Sequence, residues 1–99
     1  MEHFVGKTVK DPSGTTIGRV TDVITDAALQ PEFVTIKTGR LLGREHVAPV
    51  EGVTQEGDEL RASFSRDEVA AAPTTRDHIL DVDQRVAVYE HFHIDHHAA

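Results

Sequence analysis

Residues 4–25 read Phe-Val-Gly-Lys-Thr-Val-Lys-Asp-Pro-Ser-Gly-Thr-Thr-Ile-Gly-Arg-Val-Thr-Asp-Val-Ile-Thr. The tetrapeptide Asp11-Pro12-Ser13-Gly14 is a turn with a mechanism, because proline pre-sets φ at the second position and glycine accepts left-handed geometry at the last. The flanks are rich in Val, Ile and Thr, whose branching at Cβ suits a pleated sheet. The segment therefore reads as a hairpin, with a first strand over about residues 4–10 and a return strand over 15–25. In the return strand Ile17 and Val23 fall on one parity and Val20 and Ile24 on the other, with Gly18 between them. That break predicts a long, bent strand with a bulge, as small closed barrels use at their corners.

Outward from the hairpin the same grammar continues. Gln30-Pro31 closes the next connection, and residues 32–38 alternate Val34 and Ile36 against Thr35 and Lys37. A fourth strand is expected over 44–50, and Gln55-Glu56-Gly57-Asp58 turns into another in which Leu60, Ala62 and Phe64 share a face. The pattern then becomes helical. Ser65 with Glu68 is a capping box for a short helix that Pro73 stops, residues 74–80 read as a linker, and Asp81 with Gln84 repeats the capping signal. Val82, Val86, Tyr89 and Phe92 or His93 follow at helical spacing for about three turns. The expected fold is mainly β: a small six-stranded antiparallel barrel over residues 1–65 and a helical, histidine-ended appendix over 66–99, within one domain.

Composition supports this and narrows function. Val and Ile total 17 against 5 Leu, and there are 10 Thr in 99 residues. The formal charge of −7 falls wholly in the second half: residues 1–50 hold 6 basic and 6 acidic side chains, residues 51–99 hold 4 and 11. Such a surface repels phosphate backbones and anionic lipid, so neither direct nucleic-acid binding nor membrane-surface binding is expected. With no cysteine there is no disulfide, thiolate nucleophile or thiolate metal site. No apolar run reaches the roughly 18 residues of a membrane span, and Met1-Glu2-His3-Phe4 lacks the pattern of a signal peptide. A cytoplasmic location is the expectation.

The order of Gly6-Lys7-Thr8-Val9, Asp11-Pro12-Ser13-Gly14, Ile17-Gly18-Arg19-Val20, Phe33-Val34-Thr35-Ile36-Lys37-Thr38-Gly39 and His46-Val47-Ala48-Pro49-Val50-Glu51-Gly52 resembles a PRC-barrel domain over roughly residues 3–65. Tyr89-Glu90-His91-Phe92 is similar to the short helix that ends many stand-alone members. The resemblance implies a six-stranded barrel, often dimeric. The family is named for the cytoplasmic domain of the photosynthetic reaction centre H subunit, and it also forms the C-terminal domain of a ribosome maturation factor. It implies no shared catalytic motif. The expectation is a non-enzymatic, self-associating interaction module without a cofactor. One alternative is a maturation-like role on a ribosomal protein, and another is a pH- or metal-responsive sensor built on the histidine-rich end.

Two places carry candidate chemistry. His91, His93, Asp95 and His97 share a face if the end is extended, and pair as His93–His97 and His91–Asp95 if it is helical, so either form offers a metal two ligands. The other reading is a polar helix end whose histidines favour the negative pole of the helix. The loop Gly39-Arg40-Leu41-Leu42-Gly43-Arg44 has two adjacent leucines at a glycine-flanked tip, which either close the barrel or join an interface together with Phe33, Tyr89 and Phe92 as a homodimer contact. Serines are few, and each has a structural explanation: Ser13 a turn, Ser63 a strand face, Ser65 a cap. No glycine-rich phosphate loop or nucleophile elbow is present.

Overall fold

The turn at the head of the sequence organises the first corner of the computed structural model, which describes residues 4–38, 45–75 and 77–93. The Gly14 amide donates to the Asp11 carbonyl at 2.9 Å, with Gly14 at φ 90°. One Asp11 carboxylate oxygen accepts from the Ser13 hydroxyl at 2.6 Å and from the Ser13 and Thr15 amides at 3.0 Å each. These donors, led by the Ser13 hydroxyl, hold the carboxyl below its usual range.

Strands β1 (Thr8–Lys10) and β2 (Thr16–Thr25) leave this turn antiparallel. Gly6, at φ 88°, bends the chain ahead of Thr8, so β1 is shorter than its sequence suggests. The bend expected in β2 is resolved into two bulges on this strand. Val9 opposes Gly18 but Lys10 opposes Thr16, which leaves Ile17 extra. Val20 and Asp22 oppose Ile36 and Thr35, which leaves Thr21 extra. Each extra residue flips the parity, and this is how Ile17, Val20 and Ile24 are all buried without a period of two.

β3 (Pro31–Lys37) and β4 (Glu45–Pro49) follow, then a single 3-10 turn (Val50–Gly52) and the hairpin of β5 (Val53–Glu56) and β6 (Glu59–Ala62). Helix α1 (Arg66–Ala70) comes next, then β7 (Thr74–Thr75) and helix α2 (Val82–His91). The sheet order is β5-β6-β1-β2-β3-β4-β7. Two details correct the expectation. The described residues form seven strands where six were expected, since Thr74 and Thr75, read as linker, pair with His46 and Glu45. The sheet is also mixed: Val9 and Lys10 pair in parallel with Leu60 and Arg61. Pairing across fifty residues leaves no local trace, whereas both capping boxes are local and form as read.

β3 is buried on both faces. Val34 and Ile36 share one with Val20, Val23 and Ala48, while Phe33 and Thr35 share the other with Ile24, Pro49 and Val47. α1 touches both β2 and β4, with Val69 in the core, and α2 lies over the Phe33 face. A single apolar cluster includes residues of the sheet and of both helices.

Candidate functional site

α2 is held to the sheet by a polar clamp around an aromatic contact. Arg85 and Tyr89, one turn apart on one helix face, both reach Glu32 at the start of β3. Arg85 Nη1 donates to one carboxylate oxygen and the Tyr89 hydroxyl to the other, the latter at 2.9 Å. Beneath them the Phe33 ring lies 5.2 Å from the Tyr89 ring and 5.7 Å from the Arg85 guanidinium carbon. Burial first, and the Glu32 carboxylate second, push the Tyr89 phenol up to about 12.

The segment ahead of α2 is held by a second device. His78, at φ 60°, lies between two carboxylates: Nδ1 is 2.9 Å from Asp22 Oδ2 and Nε2 is 2.8 Å from Glu45 Oε2. Both nitrogens face carboxylates, which only accept, so the protonated ring donates to both and in that form has no nitrogen left to act as a general base. The two nitrogens face opposite ways, so one ion cannot take both. Glu45 hydrogen bonding, then its charge and Asp22, raise the His78 pKa above its ordinary 6.5. The Thr21 hydroxyl, then His78 and the nearby Lys37, lower that of Glu45 below 4.5.

The signs set a pH window. The His78 contribution to stability is complete below its ordinary 6.5 and is lost as pH rises through the raised folded value. That of Glu45 is complete above 4.5 and is lost as pH falls through the lowered one. All three side chains are partly exposed, so the clasp is worth about 1 kcal/mol or less. Thermal melts at about pH 6 and pH 9 should show a drop in stability that His78→Gln abolishes. An equal drop in the variant would assign the pH dependence elsewhere.

The PRC-barrel domain family model matches residues 2–69. The chain belongs to this family. No curated protein matches it in sequence. The match takes in β1–β6 and all of α1 but its last residue, so this PRC barrel carries β7, His78 and α2 beyond the matched region. Both clamps therefore join a residue outside the match, His78 or Arg85 with Tyr89, to carboxylates within it. Among the described residues no helix is long and apolar enough to cross a membrane.

The residues singled out in the sequence fall into three groups. Phe33, expected at a homodimer contact, is fully buried beneath α2, which covers that face of the sheet. Phe92 is buried too, its ring 4.8 Å from that of Phe64, and Tyr89 is half-buried against Phe33. In the PRC barrel these three rings seat α2 on the chain's own sheet. His91 Nε2 donates to the Glu68 carbonyl at 2.6 Å, tying the end of α2 to α1, and His93 ends the helix at φ 56°. Among the described residues no three His, Cys, Asp or Glu side chains converge as a metal requires. Leu41, Leu42, Asp95 and His97 lie outside the described residues. Sequence reading missed Glu32 with Arg85 and Asp22–His78–Glu45, because partners 33–57 positions apart leave no periodic signal.

Proposed function

We propose that this PRC barrel is a non-enzymatic interaction module that associates with a second copy of itself through the end of the molecule where β2 turns into β3. The observation that carries this reading is three large apolar side chains left in solvent there: Leu29 at 78% exposure, Ile79 at 69% and Val82 at 72%. Leu29 lies in the turn just beyond the Thr25–Pro31 pair. Ile79 lines a recess with Ile24 and Thr25. Val82 opens α2 one turn before Arg85, which grips Glu32 beside Pro31. Apolar side chains clustered at one end of a strongly charged chain favour a protein contact over isolated exposure. With Phe33 and Phe92 buried in the chain's own core, the exposed Leu29, Ile79 and Val82 are what support this reading.

Sedimentation of the wild type at about 100 μM should give a dimer, and Ile79→Asp with Val82→Asp should give a folded monomer whose melting temperature no longer depends on protein concentration. A wild type that is monomeric at that concentration overturns self-association. A dimer that survives these changes but is lost in Leu41→Asp with Leu42→Asp moves the contact to the 39–44 loop.

A further inference from the structure

The first half of the chain is neutral by count, yet the fold uses its two signs unequally. Every described carboxylate there is engaged. Asp11 holds the first turn, Asp26 accepts from the Ala28 and Gln30 amides, Glu32 takes Arg85 and Tyr89, and Asp22 and Glu45 take His78. Among the described residues Lys7, Arg19 and Lys37 make no ion pair, whereas Lys10 reaches Glu59 at 3.3 Å.

Arg19 and Lys37 stand directly opposite one another on β2 and β3, and Thr8 stands opposite Arg19 on β1. Like charges facing across two strands oppose folding. Here the pair lies in an open groove of about 410 Å³ whose wall also includes Thr8, Thr16, Gly18 and Thr38, with no acidic residue among the described ones. The Thr21 hydroxyl, also on the wall, is turned to Thr35 at 2.7 Å. The nearest opposing acid, Glu45 across from Lys37, feels the Lys37 charge, but its carboxylate is bonded to His78 and is not part of the groove wall.

We propose that this groove binds a small phosphate-bearing anion, with the Arg19 guanidinium and the Lys37 ammonium holding the phosphate and the Thr8 and Thr38 hydroxyls donating to its remaining oxygens. The guanidinium fork matches two oxygens of a phosphate, and the ammonium adds a mobile point charge. Two cations with neutral hydroxyl donors suit a dianion better than a singly charged carboxylate. The groove has room for more than the phosphate itself, so an ester fits. A nucleic acid does not, because the −7 of the chain repels a polyanion.

The test is an amide NMR titration of the full chain with inorganic phosphate and with phenyl phosphate at constant ionic strength. Saturable shifts centred on Thr8, Arg19, Lys37 and Thr38 are expected, with Kd of about 1 mM or below. Arg19→Gln and Lys37→Gln should each weaken binding about tenfold or more, and Arg61→Gln, whose partner is Glu56, should leave it unchanged. Tighter binding of phenyl phosphate assigns the site to an ester, and equal binding to the free anion. Arg19→Glu should abolish binding while raising the melting temperature, because it replaces a repelling pair by an attracting one. Shifts that follow sodium chloride equally, affinity unaltered by both glutamine variants, or tighter binding of a single-stranded oligonucleotide would overturn the proposal.

Discussion

Replacing Phe33 by alanine is expected to cost about 3–5 kcal/mol, the loss typical of a buried aromatic ring cut back to a methyl. A domain of this size has roughly 5–15 kcal/mol in all, so much of its stability rests on this residue. The ring joins two layers. One side packs in the sheet beside Ile24 and Pro49, and the other supports Tyr89 and the Arg85 guanidinium. Its removal leaves a cavity under α2 and deprives the Glu32 clamp of its floor. Denaturant unfolding should show the loss, with Phe33→Leu costing distinctly less because it fills most of the space. The chain has one tyrosine and no tryptophan, so intrinsic fluorescence reports Tyr89 alone. In Phe33→Ala a Tyr89 signal that changes before the sheet unfolds would show α2 leaving first. A stability loss under about 1 kcal/mol would mean that Phe33 is not the keystone of this contact.

Gly18→Ala is expected to cost about 2–3 kcal/mol for the addition of a single methyl group. The reason is contact. A Cβ at Gly18 would stand 2.3 Å from the Lys37 carbonyl oxygen and 3.0 Å from Ile36 Cγ2. The oxygen is backbone on the neighbouring strand and cannot rotate away, so β2 would have to separate from β3 beside the bulge. Gly14 is the control. It has open space around it but a φ of 90°, so Gly14→Ala meets only backbone strain of about 1–2 kcal/mol, and Gly14→Asn less still. A Gly18→Ala penalty equal to or below that of Gly14→Ala would refute the close approach of the two strands.

These two residues mark the boundary between what local reading reaches and what it does not. Gly18 is conspicuous in the sequence because it sits where hydrophobic parity breaks, and the structure places a bulge there. Phe33 was misread for a physical reason. Strict alternation along β3 assigns one face to the core and the other to solvent, and it cannot register that α2, fifty residues later, covers the second face. The same reasoning separates the capping boxes from the clamps. Ser65 with Glu68 and Asp81 with Gln84 act within one helical turn. His78 in an apparent linker reaches Asp22 and Glu45 only because β7 pairs with β4 and carries the chain back over the sheet. Neither carboxylate has any sequence feature that marks it as its partner.

By itself the sequence determined most of the elements and the family: the Asp11–Gly14 turn, the bulged strand, both helix starts and the order of PRC-barrel motifs, all features whose physics acts between residues a few positions apart. The tertiary structure alone decided the parallel closure of β1 on β6, the burial of Phe33 and the distribution of charge. A charge count treats every Asp and Lys in the first half as equal. Folding does not, because pairing depends on distance in space: it ties Asp22, Glu32 and Glu45 to side chains from the far end of the chain and leaves Arg19 and Lys37 facing each other. A half that is neutral by sum thereby presents a cationic groove.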